Sequence, residues 1–389
     1  MQRDVALALM KRAITIVENQ WPEMADAYMQ VPLDYYGSDA FAAKERTLFE
    51  TAPLALIASS EIAGRHDYFV RNAVGRSVLL TRDADGKAHA FLNYCRHRGA
   101  EPSSGCGNRH AFSCPYHAWT YDNKGRLVGM PQRDRFRDLD LAPLGLVELP
   151  CEERHGFVWV VLTPGHAIDV ASHLGALDSE IGSLGIAGMK YYSSLTEEPI
   201  VSNWKSVAEG LLEGLHVPYV HAGTFNLNPQ AASVDLAIYD AFGPHVRYAM
   251  PMFGREDVAR IRAIPEAEVN PMDHIGCIWF IAPGLLLAHE LYGMIYADLA
   301  PGPTVADAVF RYGWLSPVDL PPAGMPTPAE MAARAARGVA QDKPVWSGCA
   351  RGLSMGGHQY ALIGRNEKAV QLFHEGLAAR TGYNGLRYS

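Results

Sequence analysis

The 389-residue chain is most usefully met through what it lacks. No apolar run approaches the roughly 18 residues that cross a bilayer. The short stretch Val5-Ala-Leu-Ala-Leu-Met10 is followed by Lys11 and Arg12, so it reads as the start of an amphipathic helix rather than a secretory signal. A cytoplasmic location without membrane attachment is expected. Basic excess is missing too: the formal net charge is -8, which argues against a nucleic-acid partner, since phosphate binding needs a basic face. There is no Gly-x-Gly-x-x-Gly fingerprint and no flavin-site signal, so NAD(P)H must be oxidised by a separate protein if this chain uses its electrons. Internal repeats and low-complexity tracts are absent. Of six cysteines, Cys106, Cys151, Cys277 and Cys349 are scattered without a disulfide framework and are expected to be free thiols.

What is present begins with the other two cysteines. They stand in Asn93-Tyr-Cys-Arg-His-Arg-Gly-Ala100 and Phe112-Ser-Cys-Pro-Tyr-His-Ala-Trp119. Cys95 with His97, and Cys114 with His117, supply one thiolate and one imidazole per loop, the ligand set of a Rieske [2Fe-2S] centre, in which two cysteines hold one iron and two histidines the other. Zinc is the rival, but zinc fingers run Cys, Cys, His, His, and here the order alternates. Sixteen residues separate His97 from Cys114, enough for a hairpin that brings the two loops face to face, and Gly99, Pro102, Gly105, Gly107 and Pro115 supply turn chemistry. Residues 91–140 carry eight Lys or Arg against five Asp or Glu, a basic island that suits an acidic electron donor or is ordinary surface variation.

Length and an ordinary composition, 48% hydrophobic and 20% charged, fit two or three globular domains. From about 50 to 165 short β-rich runs such as Ser77–Thr81, Ala88–Leu92 and Gly156–Leu162 are separated by Asp-Gly and Asn-Lys-Gly turns, predicting a small all-β unit. Near Asp169 the texture turns helical through Leu174, Leu177, Ile181 and Leu184. Strand-like runs return at Val234–Tyr239, His245–Met250, Cys277–Ala282, Leu285–His289 and Ala308–Leu315, and short turns between them favour an antiparallel sheet. Pro328–Ala340 and Asn366–Arg380 read as helices, the latter stopped by Gly382.

A second metal pattern lies in Asn203-Trp-Lys205 through Glu209, Glu213, His216, Pro218 and His221. At about 100° per residue Glu209, Glu213 and His216 share a helix face, whereas His216 and His221 stand about 140° apart. Pro218 is expected to end the helix near His216 and let His221 swing back. Two imidazoles with one carboxylate form the facial triad of non-haem iron(II) oxygenases. Alone, a His-x4-His pair is more often two hydrogen-bonded core histidines, and the Rieske pattern is what tips the reading.

With both patterns in one chain, the sequence resembles the terminal oxygenase α subunit of the Rieske non-haem iron oxygenases, the aromatic-ring-hydroxylating oxygenases. Supporting pieces include Val31-Pro-Leu-Asp-Tyr-Tyr36 with Glu45 and Phe49, Cys114–Asp122, and Asn366–His374. The resemblance implies an α+β fold: an all-β Rieske [2Fe-2S] domain at 51–165 inserted in a helix-grip (START-like) catalytic domain, of which 1–50 is the helical N-terminal part and 166–389 the mononuclear-iron part with a curved antiparallel sheet. It implies a [2Fe-2S] cluster on Cys95, His97, Cys114 and His117, and Fe(II) on His216, His221 and a distant carboxylate. Asp342 is the choice, with Asp298, Asp307 and Asp319 behind it. Glu213 is the expected bridge between His117 of the adjacent subunit and an iron histidine, in a homotrimer where metals of neighbouring subunits pair.

Two departures stand out. Glu213 replaces the usual Asp, as in relatives acting on carnitine-type compounds, and Gly210 replaces a common Asn. Respiratory Rieske proteins carry a further cysteine in each loop; Ala100 and Tyr116 stand there, so no clamping disulfide forms, and a potential toward the low end of about -150 to +300 mV is expected. The implied activity is O2-dependent hydroxylation of an aromatic or related small organic substrate, with electrons from an NAD(P)H-dependent reductase or ferredoxin. N- or O-demethylation of a methylated amine, quaternary ammonium compound or aryl ether is the alternative, and an electron-transfer protein without oxygenase activity is the reading from another class. Phe225, Asn226, Leu227, Met250, Met252, Phe253, Leu287 and Tyr296 are candidates for a substrate cavity or for plain core.

Overall fold

A computed structural model of the chain describes residues 1–192, 198–224, 236–319, 321 and 323–389. The candidates Phe225, Asn226 and Leu227, and the start of the expected strand at Val234, lie outside the described residues. The chain forms two compact units, one of Met1–Leu48 with Leu174–Ser389 and one of Phe49–His173. Among the described residues no helix is long and apolar enough to cross a membrane.

The N-terminal segment is the amphipathic helix α1 (Arg3–Asn19), with Ala6, Leu9, Met10, Ala13 and Val17 buried at helical spacing. The second unit is mostly β, with short 3-10 helices at Ser59–Ile62, Arg133–Phe136 and Ala142–Leu144. Its strands are β1 (Leu54–Ala58), β2 (Asp67–Ala73), β3 (Arg76–Arg82), β4 (Ala88–Leu92), β5 (Cys106–Asn108), β6 (Ala111–Ser113), β7 (Thr120–Asp122), β8 (Leu127–Gly129), β9 (Glu148–Leu149), β10 (Cys151–Arg154) and β11 (Phe157–Val160). They make three antiparallel sheets in the orders β9-β4-β3-β2-β5, β10-β11-β1 and β6-β7-β8. Tyr68, Leu79, Phe91, Phe112, Trp119, Tyr121 and Leu146 form one core that includes the sulfurs of Cys95 and Cys114.

In the first unit, α2 (Asp178–Ser183) and β12 (Lys190–Tyr192) precede α3 (Trp204–Leu211) and the short α4 (Val217–Val220). There follow β13 (Ile238–Phe242), β14 (His245–Pro251), β15 (Ile275–Ile281), β16 (Leu285–Glu290), β17 (Gly293–Pro301), β18 (Ala308–Ser316), α5 (Pro328–Ser354) and α6 (Lys368–Thr381). The sheet order is β12-β18-β17-β16-β15-β14-β13, with Glu198–Ile200 also pairing with β18, and every pairing is antiparallel.

Strand alternation gives this sheet two faces. Tyr248, Ile278, Phe280, Ala288, Ile295, Phe310 and Tyr312 share the face on which α6 and α5 pack, where Phe280 meets Phe373 and Phe310 meets Trp346. Arg247 and Trp279, on the other face, bind Glu180 of α2 at 2.6 and 2.7 Å. The α+β expectation holds: a mostly β unit interrupts a domain of antiparallel sheet and helices. Leu287 and Tyr296 fall on the face away from α5 and are fully buried, Tyr296 against Tyr191, so they are core and leave the cavity list.

Two local expectations are corrected. The helix through Pro328 runs on to Ser354 instead of stopping at Ala340, with Pro344 inside it. A capping box of Thr327 with Glu330 starts this helix, and burial of Met331, Ala335, Val339, Asp342 and Trp346 along one side outweighs the hydrogen bond lost at Pro344. The helix through Asn203 ends at Leu211, before Glu213, so Pro218 does not terminate it; Pro218 opens α4 at the first helical turn, where proline is well placed.

Candidate metal centres

The two Rieske-type loops are built alike. In the first, the Cys95 amide donates to Ala100 O at 2.9 Å and the Gly99 amide to Cys95 O at 2.9 Å; in the second, Cys114 donates to Trp119 O at 2.8 Å and Ala118 to Cys114 O at 2.9 Å. The residue four beyond each cysteine is left-handed, Gly99 at φ 80° and Ala118 at φ 56°. Glycine takes that conformation freely, whereas alanine does so at a cost of about 1–2 kcal/mol. Asn93, fully buried, ties the first loop down by donating to Ser77 Oγ at 3.0 Å and Ser103 O at 2.8 Å.

These loops bury both thiols and turn both imidazoles outward. His97 stacks on Trp119 at 4.8 Å, and its Nδ1 stands 3.1 Å from His117 Nδ1. Two nitrogens bonded at about 2.1 Å to one tetrahedral metal would be roughly 3.4 Å apart, so the imidazole pair suits one metal. The pKa of His117 is lowered, by desolvation and by His97 and Arg98. A single zinc would draw all four donors to within about 4 Å of one another. Among the described residues only His216, His221 and Asp342 bring three such ligand atoms within 4.8 Å, so the four loop donors are spread too wide for one ion and fit a two-metal cluster. Tyr121 Oη lies 3.2 Å from Cys95 Sγ and accepts from the Arg96 amide at 3.0 Å.

The second centre lies in the first unit. Asn203 caps α3, its side chain accepting from the Lys205 amide at 3.0 Å. In the break after the helix, Glu213 accepts from the amides of Leu215 and His216 and from His216 Nδ1. Gln341 Oε1 accepts from His221 Nδ1 at 2.9 Å. With both Nδ1 atoms so held, the Nε2 atoms are left for Asp342, whose Oδ1 is 3.0 Å from that of His221 and 3.7 Å from that of His216. Histidines that ligate metals are held in this way through their other nitrogen. Burial pulls His216 down, but the hydrogen bond and charge of Glu213 outweigh it and its pKa is raised; burial raises Asp342 against the pull of both imidazoles.

Asp342 is 8% exposed and mid-helix, not a surface cap. The rival aspartates are engaged elsewhere: Asp298 with Arg311, Asp307 with Thr304 Oγ1 at 2.6 Å, and Asp319 with Lys190 at 3.2 Å. Sequence reasoning missed Gln341 and Tyr121. Gln341 stands beside Asp342 and Tyr121 two residues past Trp119, and each carries a polar group that a buried neighbour needs satisfied.

Comparison with known proteins identifies the domains in which these two sets of residues lie. Residues 52–148 match the family model "Rieske [2Fe-2S] domain", and residues 184–382, just over half of the chain, match "Ring hydroxylating alpha subunit (catalytic domain)". The chain belongs to the ring-hydroxylating α-subunit family. It therefore combines a Rieske [2Fe-2S] domain with the catalytic domain of that family, which binds mononuclear iron.

Similar curated proteins include the carnitine monooxygenase oxygenase subunit of Escherichia coli (strain K12), 29% identical over 197 residues that cover 50% of this chain and 52% of that protein. The chloroplastic choline monooxygenase of Spinacia oleracea is 31% identical over 49% of this chain and 44% of its own, and the anthranilate 1,2-dioxygenase large subunit of Acinetobacter baylyi 30% over 47% and 40%. The chain spans about half the length of the curated relatives it matches. Among solved structures, the quaternary ammonium Rieske monooxygenase CntA with L-carnitine has a TM-score of 0.76 at 19% identity, covering 93% of this chain and 97% of that one. Naphthalene 1,2-dioxygenase from Rhodococcus sp. has 0.73 at 19%, covering 97% and 98%. These structural likenesses show the ring-hydroxylating α-subunit fold.

Proposed function

We propose that the chain is the terminal oxygenase of a multicomponent Rieske system, using O2 and NAD(P)H-derived electrons to hydroxylate an aromatic or related small organic substrate. The observation that carries this is the convergence of His216, His221 and Asp342 within 4.8 Å, outer nitrogens held, in a chain that also builds the paired Cys-His loops. In this reading Cys95, His97, Cys114 and His117 hold the cluster in a domain of about 51–165, and the two histidines with Asp342 hold Fe(II) in a catalytic domain of 1–50 with 166–389. When bound, the cluster supplies single electrons and the mononuclear iron supplies O2 activation.

The chain's own groups do the rest. Glu213 holds the His216 proton at Nδ1 and Gln341 the His221 proton, so both rings offer Nε2. One facial triad leaves positions open for O2 beside a substrate. His117, the exposed histidine of the cluster loops, is the exit edge toward Glu213 of the partner subunit in a homotrimer. The electron donor is an NAD(P)H-dependent reductase, with or without a ferredoxin.

A second reading, N- or O-demethylation and in particular oxidation of a quaternary ammonium compound, has observations of its own. Glu213 stands where Asp is usual, and the carnitine and choline monooxygenases are among the relatives.

The test reconstitutes the protein with a surrogate reductase and follows O2 and NADH consumption over arenes, aryl ethers and methylated amines. Substrate-stimulated O2 uptake is expected, with one NAD(P)H per O2 in coupled turnover. A preparation with two iron per chain and no stimulation by any compound would make it an electron carrier, and three iron per chain supports the oxygenase.

A further inference from the structure

Gly210 occupies the last turn of α3. Glycine there costs about 1 kcal/mol relative to alanine. No left-handed backbone angle asks for it, since Gly210 is not among the glycines of positive φ. What asks for it is a neighbour: a Cβ at Gly210 would stand 2.5 Å from Trp346 Nε1 and 3.5 Å from Cδ1 and Cε2. Trp346 is 5% exposed and packs edge-on against Phe310 at 6.0 Å and 76°, so the rigid indole has little room to swing aside.

The position of this contact gives it meaning. Trp346 lies one turn beyond Asp342 on the same side of α5, because residues four apart share a helix face. Gly210 lies three residues before Glu213 and six before His216. The contact therefore joins the helix that leads into the histidine segment to the helix that carries the carboxylate.

We propose that Gly210 and Trp346 form a keyed pair that sets the spacing of α3 and α5 and thereby positions Asp342 against His216 and His221. This rests on the reading of those three residues as iron ligands. With a methyl at 210 the indole has to retreat by about 0.9 Å to regain the 3.4 Å of an ordinary contact. Metal sites tolerate about 0.2 Å in each ligand distance, so a retreat shared by α5 takes Asp342 out of range of a centre it now closes at 3.0 and 3.7 Å. Gly210 and Trp346 are positioning residues and touch no reacting atom.

The test compares the wild type, Gly210→Ala, Trp346→Phe, which removes the Nε1 atom, and the double variant. Each is prepared with its [2Fe-2S] cluster loaded and its mononuclear site stripped, and the visible cluster spectrum reports that the chain is folded. Fe(II) is titrated back, and the electron paramagnetic resonance of the ferrous site with nitric oxide reports ligand geometry. Gly210→Ala is expected to weaken Fe(II) binding by about 10- to 100-fold and to alter the nitric oxide signal. Trp346→Phe is expected to bind within about threefold of wild type, and the double variant to return to the Trp346→Phe value and signal.

The proposal is overturned if Gly210→Ala binds within about twofold of wild type, or if the double variant is as weak as Gly210→Ala. Should Gly210→Ala fail to fold, the double variant decides: folded with near wild-type affinity it upholds the pair, and unfolded or weak it sinks it. A wild type that takes up no third iron is a separate result, since it removes the ligand assignment itself and the pair's role with it.

Discussion

Replacing Tyr121 by Phe should lower the reduction potential of the cluster. The Tyr121 ring is fully buried, and its oxygen sits 3.2 Å from Cys95 Sγ while accepting from the Arg96 amide at 3.0 Å. With Cys95 as a cluster ligand, as proposed, its thiolate carries no proton and the hydroxyl hydrogen points at sulfur. Burial, and next the bond to Cys95, raise the Tyr121 pKa, which keeps that hydrogen in place at every working pH. Reduction adds negative charge to the cluster and strengthens the bond. A hydrogen bond to a charged partner is worth about 1.5–3 kcal/mol and one to a neutral partner about 1. A difference of about 1 kcal/mol between the two redox states is thus the reasonable scale, and at 59 mV per tenfold it converts to about 40 mV for one electron. Phenylalanine keeps the ring packing and removes only the hydroxyl. The assay is a redox titration of wild type and Tyr121→Phe followed by the cluster's spectrum. A shift smaller than about 10 mV, or one upward, would refute the claim that this hydroxyl donates to the cluster's sulfur.

Asp342→Asn should drop the iron content from three to two per chain while leaving the visible cluster spectrum intact, because in the proposed site Asp342 is the one carboxylate beside two imidazoles; retention of the third iron would refute its assignment as a ligand. Glu45→Gln should cost about 3–5 kcal/mol in denaturant unfolding, since it strands the Lys205 ammonium, 1% exposed and bound to Glu45 at 2.6 Å. The Lys205 pKa is already lowered by burial, and the rings of Tyr35, Phe41, Tyr36 and Trp204 within 5.7 Å offer it only cation–π compensation. Asp83→Asn should destabilise the Rieske unit by about 1–3 kcal/mol at neutral pH. Burial works against the Asp83 carboxylate, but bonds from His89 and the amides of Lys87 and Asp85, with Lys124 beside it, hold its pKa far below the ordinary value. Because that pKa is depressed on folding, its stabilisation is complete above about pH 4 and fades as the pH falls further, so the gap between wild type and variant in unfolding experiments should narrow in acid. A gap independent of pH would tell against it.

How much of this was legible in the sequence follows from how far apart the cooperating residues are. The paired Cys-His loops were readable as loops of one shape because each is closed within six residues: the same two backbone bonds shape Cys95–Ala100 and Cys114–Trp119, so spacing alone encodes geometry. Several strands of both units were readable from alternation, though Gly293–Pro301 was not among the expected runs, and α6 was readable from its apolar spacing and Gly382, which is left-handed at φ 67°. The extent of α5 was not, because a proline inside a helix is a local stop signal that only tertiary burial overrides, and the burial of Asp342 and Trp346 is invisible before packing is known. For the same reason the break that frees Glu213 was misplaced onto Pro218. The helix ends at Leu211 because Glu213 takes the amides of Leu215 and His216, a competition of side chain with backbone that favours turns. Seen in that light, Glu213 does two jobs with one carboxylate: it shapes the turn that presents His216 and fixes that ring's tautomer. Its Oε2 accepts from the amides of Leu215 and His216 while its Oε1 accepts from His216 Nδ1. A residue expected from the sequence as a bridge is, in the folded chain, the one that builds the loop of His216.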